Sequence, residues 1–173
     1  MPLAVCLIFL LFTASSATAE DHERVHALRL LLRREQLNIL RAVRSCLELP
    51  YRLGGTYPEE GMDCSGFVYW VYRTSGYPMP RSTAEQARFR KHKARLAPGD
   101  VLVFRGNGAS GYHTGIYVAP GWFAHAPGRG KGVMYSRFDP SGHDFLGAWS
   151  PIVALRHESP RWRKIALAMT ETK

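Results

Sequence analysis

The chain predicts an α+β fold, with N-terminal helices packed on an antiparallel sheet of about five strands. Two observations carry this. Helix-forming segments come first and strand-like runs follow, and a Pro120-Gly121 turn joins two of those runs as a hairpin. At 173 residues the chain suffices for one domain with a real core and is short for two. The expected divisions are a signal peptide at 1–19, a helical region at 20–49, a catalytic domain at 50–156 and a basic tail at 157–173.

The leader carries an apolar core from Ala4 to Phe12, too short to span a bilayer. Ala17-Thr18-Ala19 then reads as a cleavage site, which predicts export to the periplasm or cell envelope. No Lys or Arg precedes the apolar core, and an uncleaved N-terminal anchor is the alternative reading. From Glu20 to Leu49 an apolar stripe of Val25, Leu28, Leu32, Ile39, Val43 and Cys46 recurs at helical spacing, interrupted at Gln36. This region is expected to be helical, with room for one break, and Pro50 closes it. Cys46 on that stripe reads as a buried structural thiol rather than a disulfide partner of Cys64.

Gly54 and Gly55 then mark a backbone that must come close to something. Asp63 is a good N-cap for a helix from Cys64 to about Ser75, stopped by Gly76. Ser82-Thr83-Ala84-Glu85 is a capping box opening a short helix to about Lys91. Four strands should follow, at Val101–Phe104, His113–Ala119, Trp122–Ala126 and Gly132–Phe138. A last strand is expected at about Pro151–Arg156.

The formal net charge is +9, and residues 88–95 hold five basic groups and no acid. For an exported chain, anionic envelope surfaces are the natural partners. Export and the lack of a nucleic-acid module argue against nucleic acid. A monomer is expected.

Cys64 opens its helix, where the positive end of the helix dipole favours a thiolate. A cysteine nucleophile needs a base, and the base needs an orienting partner. His113 and His125 lie on the two strands of the predicted hairpin. With a three-residue loop at 119–121, Val118 would face Trp122 and Gly115 would face His125. His113 and His125 would then share a sheet face as diagonal neighbours, about 7–8 Å apart at the backbone. A register slip of one residue would place the rings on opposite faces. A zinc site of Cys64, His113 and His125 competes, but no C-x-x-C or H-x-x-x-H spacing supports it. No metal and no cofactor are expected.

Five signatures in order resemble the NlpC/P60 cysteine peptidases. They are Tyr51-Arg52-x-Gly54-Gly55, Asp63-Cys64-Ser65-Gly66, Pro80-Arg81-Ser82-Thr83-x-x-Gln86, Pro98-Gly99-Asp100, and His113-x-Gly115-Ile116-Tyr117 with Phe123-x-His125-Ala126. The resemblance covers about residues 47–156 and looks closest to the Spr-like murein endopeptidases of Gram-negative envelopes. It implies a papain-like fold and hydrolysis of peptidoglycan stem peptides, at the γ-D-glutamyl–diamino acid bond or in the diaminopimelate cross-link. It also implies Cys64 as nucleophile, His113 as base and His125 as orienter. Tyr51 matches a tyrosine placed near the oxyanion, and Asp63 and Ser65 match positions that shape the substrate site. Leu53 and Thr114 depart from residues common in the family. An inactive peptidoglycan-binding adaptor and an N-acetylmuramoyl-L-alanine amidase are the alternative functions.

Overall fold

The computed structural model describes residues 3–91 and 95–154, with side chains from residue 21 onward. The tail at 157–173 and residues 92–94 of the basic run lie outside the described residues. The chain divides into two compact units, Met1–Glu35 and Gln36–Lys173. Helix α1 (Leu3–Ser45) is continuous. In the first unit Val25 stays 48 % exposed, so that end of the predicted stripe is not covered. In the second unit Ile39, Val43 and Cys46 are fully buried. Among the described residues no helix is long and apolar enough to cross a membrane.

Helix α2 (Cys64–Thr74) starts at the Asp63 cap, whose Oδ1 accepts from the Gly66 N–H at 2.7 Å. Phe67, Val68, Val71 and Tyr72 bury one face, and the Tyr72 hydroxyl donates to the Gly99 carbonyl. Gly76, at φ +86°, takes the left-handed position that ends the helix. Helix α3 (Thr83–Arg88) carries the capping box: Ser82 Oγ accepts from the Glu85 N–H, and the Glu85 carboxylate accepts from the Ser82 N–H. It is shorter than the sequence suggested. Lys91 leaves the helix to bridge Ala148.

The five strands are β1 (Val101–Arg105), β2 (Tyr112–Ala119), β3 (Trp122–His125), β4 (Met134–Arg137) and β5 (Phe145–Trp149). They form one antiparallel sheet in the order β4-β3-β2-β1-β5. Helices α2 and α3 pack against β2. Alternation along the strands divides the two faces. On β2, Thr114 points to α3, where its hydroxyl donates to Gln86 Oε1. His113 and Tyr117 stand on the other face, against Phe104 and Phe138 respectively. Leu102, Phe123 and Ala148 complete an apolar layer there.

Two expectations need correction. The last strand is β5, and Pro151–Ala154 is a short helix, α4. Proline cannot donate to a ladder but suits a helical first turn, because its fixed φ is already helical. The true strand is disguised by Gly147, which sits at φ +138°. A Cβ there would lie 2.8 Å from the Lys91 carbonyl oxygen, so glycine is what lets that bridge form.

The second correction is the hairpin turn. Ala119, not Val118, pairs with Trp122, so the loop is the two residues Pro120-Gly121. Val118 is an extra residue in β2, between the pairs Tyr117↔Phe123 and Ala119↔Trp122. Pro120 sets φ near about −65° and Gly121 sits at +76°, the pattern of a type II turn, which splays paired strands. A bulge beside it restores twist and shifts the count by one. The predicted juxtaposition therefore survives with a different turn: Ile116 pairs with Ala124, and Gly115 lies against His125.

Candidate active site

A cleft of about 940 Å³ opens beside the start of α2, and all six residues singled out from the sequence line it: Tyr51, Asp63, Cys64, Ser65, His113 and His125. Leu53 lines it from the entry turn and Arg105 to Ser110 from the glycine-rich loop. Among the described residues, no group of three or more His, Cys, Asp or Glu side chains is placed to hold a metal ion.

His113 Nε2 lies 2.7 Å from His125 Nδ1, and the far nitrogen of His125, Nε2, lies 2.9 Å from Ser136 Oγ on β4. The two rings meet edge to face, with centroids 5.0 Å apart. Gly115 makes this possible. A Cβ there would fall 2.7 Å from the Ala124 carbonyl oxygen and 3.1 Å from His125 Cβ. With Nε2 engaged, Nδ1 is the nitrogen left to His113 for proton transfer. Burial lowers His113 to about 4. Burial, the neighbouring His113 and Lys131 together lower His125 to about 3. Both rings are neutral at physiological pH.

At Cys64 burial opposes the expected pull of the helix terminus towards thiolate. Burial raises its thiol above the ordinary value, and the Asp63 carboxylate adds to the rise. The backbone N–H groups of Thr114, Ser65 and Cys64 itself pull the other way without overcoming it. The helix terminus does act on the sulfur, through these N–H groups, but desolvation is the larger effect.

Tyr51 is raised by burial and by its neighbours Cys64 and Asp63, against a smaller opposing effect of Arg129. Its hydroxyl stays protonated and able to donate beside the sulfur.

Asp63 and Ser65 line the cleft and are also bonded into its wall. Burial raises the Asp63 carboxyl, but Arg81, with the Gly66 and Gly54 N–H groups, brings it below the ordinary carboxylate value. Arg81 reaches both Asp63 oxygens, at 3.1 and 3.2 Å, and also Ser65 Oγ and the Gly55 carbonyl. The turn at 54–55 is thus clamped to the first turn of α2. The expected close approach is found at Gly55, where a Cβ would meet the Gly61 carbonyl oxygen, whereas Gly54 has open space and is required by its φ of +78°.

Gln86 is the second residue with an unassigned role. It is fully buried, and its amide donates to the carbonyls of Ser65 and Pro80 while its oxygen accepts from Thr114. One side chain thus ties the cysteine helix to the histidine strand. Arg81 and Gln86 stand in a signature quoted above, and their places in that motif were the available signal. Ser136 carried no signal in the sequence, since it needs the β3–β4 register to be known.

A model of the NlpC/P60 family matches residues 48–144. A probable endopeptidase of Haemophilus influenzae is 47 % identical over 91 residues, which are 50 % of this chain and 55 % of that protein. The Escherichia coli K12 protein named murein DD-endopeptidase MepS/murein LD-carboxypeptidase is 41 % identical over 93 residues, 52 % of this chain and 48 % of that one. The chain thus spans about half the length of these curated relatives. Among solved structures, the NlpC/P60 domain of the peptidoglycan hydrolase SagA superposes with a TM-score of 0.56 at 30 % identity, over 66 % of this chain and 97 % of that one. An NlpC/P60 family protein from Bacillus cereus superposes with a TM-score of 0.60 at 27 % identity, over 67 % of this chain and 40 % of that one.

Proposed function

Because the chain belongs to the NlpC/P60 family, we propose that it is an exported cysteine peptidase that hydrolyses an amide bond in peptidoglycan stem peptides. The observation that carries this is the His113 Nε2–His125 Nδ1 bond of 2.7 Å in the cleft that Cys64 lines. It fixes one nitrogen of the base and leaves Nδ1 for the thiol. The leader at 1–19 and the +9 charge support passage to an anionic envelope. Similarity to the murein endopeptidase of Escherichia coli supports the substrate class.

The resting pair is a neutral thiol and a neutral imidazole, so the proton moves as the nucleophile attacks. His113 Nδ1 takes the Cys64 proton while sulfur adds to the amide carbonyl. Charge develops on the carbonyl oxygen, where the Tyr51 hydroxyl and the Cys64 N–H can donate. The imidazolium then gives its proton to the leaving amine, and the C–N bond breaks. Water, losing a proton to His113, releases the acyl group and restores the thiol. The bond cut is the γ-D-glutamyl–diamino acid bond or the diaminopimelate cross-link.

Mass spectrometry of muropeptides after digestion of purified sacculi tests both levels. New fragments in the wild-type digest, absent with a folded Cys64→Ala protein, are expected, and their masses name the bond. Equal cleavage by that variant overturns Cys64 as nucleophile. Fragments lacking the whole stem would indicate the amidase reaction instead.

A further inference from the structure

We infer that Ser136 is a positioning residue of the reaction: by accepting a hydrogen bond from His125 Nε2 it holds both histidines in the one pair of tautomers that leaves His113 able to act as a base. The inference rests on the reading of Cys64 and His113 given above.

The argument is a count of hydrogens. A neutral imidazole carries one N–H. Two arrangements satisfy the row His113 Nε2···His125 Nδ1 and His125 Nε2···Ser136 Oγ. In the first, His113 carries its hydrogen on Nε2 and donates to His125 Nδ1. His125 then carries its own on Nε2 and donates to Ser136, and His113 Nδ1 presents a lone pair. In the second, Ser136 donates to His125 Nε2, His125 Nδ1–H donates to His113, and His113 presents an N–H at Nδ1. Only the first can take a thiol proton.

The surroundings of the sulfur favour the first. Burial holds the Cys64 thiol above its ordinary value, so the sulfur keeps its proton, and it lines the same cleft as His113. A protonated thiol has its S–H to offer a neighbour. A lone pair at His113 Nδ1 complements that, whereas another N–H would not.

The register places Ser136 for this task. It pairs with Phe123 across β3–β4, and Phe123 shares a sheet face with His125 two residues on. A serine reaches diagonally to the outer ring nitrogen, while Tyr135 and Arg137 on either side are exposed. When His113 becomes an imidazolium, the same row stabilises it: His125 Nδ1 accepts from the charged ring, and Ser136 polarises His125 by accepting at Nε2. Without the hydroxyl, His125 Nε2–H is left in a half-buried site with no partner, and the ring is free to exchange tautomers.

Two measurements on the full chain decide it. In steady-state cleavage of a purified muropeptide, Ser136→Ala should lower kcat about tenfold, the size expected for one lost hydrogen bond in the transition state, with KM within about twofold. Ser136→Thr, which keeps the hydroxyl, should restore it. In nitrogen-detected NMR of histidine-labelled protein, wild type should show His125 protonated at Nε2 and His113 at Nε2, and Ser136→Ala should show a mixture at both. An unchanged kcat in a folded Ser136→Ala protein, or pure and unchanged tautomers in it, overturns the inference. Since the NMR reading needs no turnover, a wild-type protein inert on muropeptides would refute the proposed reaction while the hydrogen-bond row is still decided.

Discussion

Cys64 and His113 are both uncharged at neutral pH, and that sets how the reaction depends on acid. As the proposed base, His113 can act only when unprotonated. Its folded value is about 4, so the base is competent above about pH 4 and is lost as pH falls through it. We expect the acid limb of kcat/KM well below the ordinary histidine range, near pH 4, as read by single-turnover cleavage between pH 3.5 and 8 with circular dichroism as a check on folding. A limb at about 6.5 would mean that His113 is hydrated and free. The two described thiols should also separate cleanly. Cys46 is 1 % exposed, and burial, against a small opposing effect of Ser45, raises it to about 11. Cys64 lines an open cleft together with His113. Iodoacetamide at pH 7.5 should modify Cys64 and leave Cys46 untouched in the native protein, as mapped by peptide mass spectrometry. Replacing His113 by Ala should slow that modification several-fold, since the base that assists the thiol is gone.

At the scale of elements, the site is a hairpin, a helix start and the polar side chains that join them. The hairpin half depends on Gly115, where backbone and ring come together. Gly115→Ala would drive a methyl group against the Ala124 carbonyl at 2.7 Å and His125 Cβ at 3.1 Å. We expect kcat to fall at least about tenfold through displacement of His125, with Cys64 still alkylated, because α2 does not carry the lesion. Loss of alkylation together with activity would show that the whole fold had moved. The helix half was legible early: Asp63 as cap, Gly76 as stop and the buried stripe through Phe67, Val68 and Val71 are local features, and each stands where local chemistry put it. The histidine pair was legible only by its register, and the structure reaches that register by a two-residue turn plus a bulge at Val118. A bulge answers strand twist, which residue types hardly record. The strand at Phe145–Trp149 was missed for a related reason. Gly147 reads as a breaker in one dimension and is a point of close approach in three. Thr114, noted as a departure from the family, bears on both halves: its hydroxyl donates to Gln86 and its backbone N–H works against the rise of the Cys64 thiol. Such roles belong to pairs of elements and are invisible until both are placed.

For the whole molecule, where the catalytic unit begins is an energetic matter. The sequence suggested Pro50, after the helical region closes. Yet Ile39, Val43 and Cys46 are 0–1 % exposed and belong to the second compact unit, which starts at Gln36. Removing a buried aliphatic side chain costs about 2–5 kcal/mol, and a domain of this size is stable by only about 5–15 kcal/mol. Loss of Ile39 and Val43 with the helix turn that carries them would use much of that margin. A chain starting at Gln36 keeps the sheet, α2, α3 and these three side chains. We therefore expect residues 36–173 to melt cooperatively within a few degrees of the full chain and to cleave muropeptides at a similar rate, and residues 50–173 to be unfolded or molten by near-ultraviolet circular dichroism. The comparison should be made at pH 7.5. The folded His113 and His125 values of about 4 and about 3 lie below the unfolded value of 6.5. The unfolded chain therefore binds more protons as pH drops below about 6.5, and stability falls with it. A melting temperature that decreases from pH 7 to pH 5 in residues 36–173, and decreases less once His125 is replaced by Asn, would place that acid sensitivity in the histidine pair. An equal decrease in both proteins would place it elsewhere.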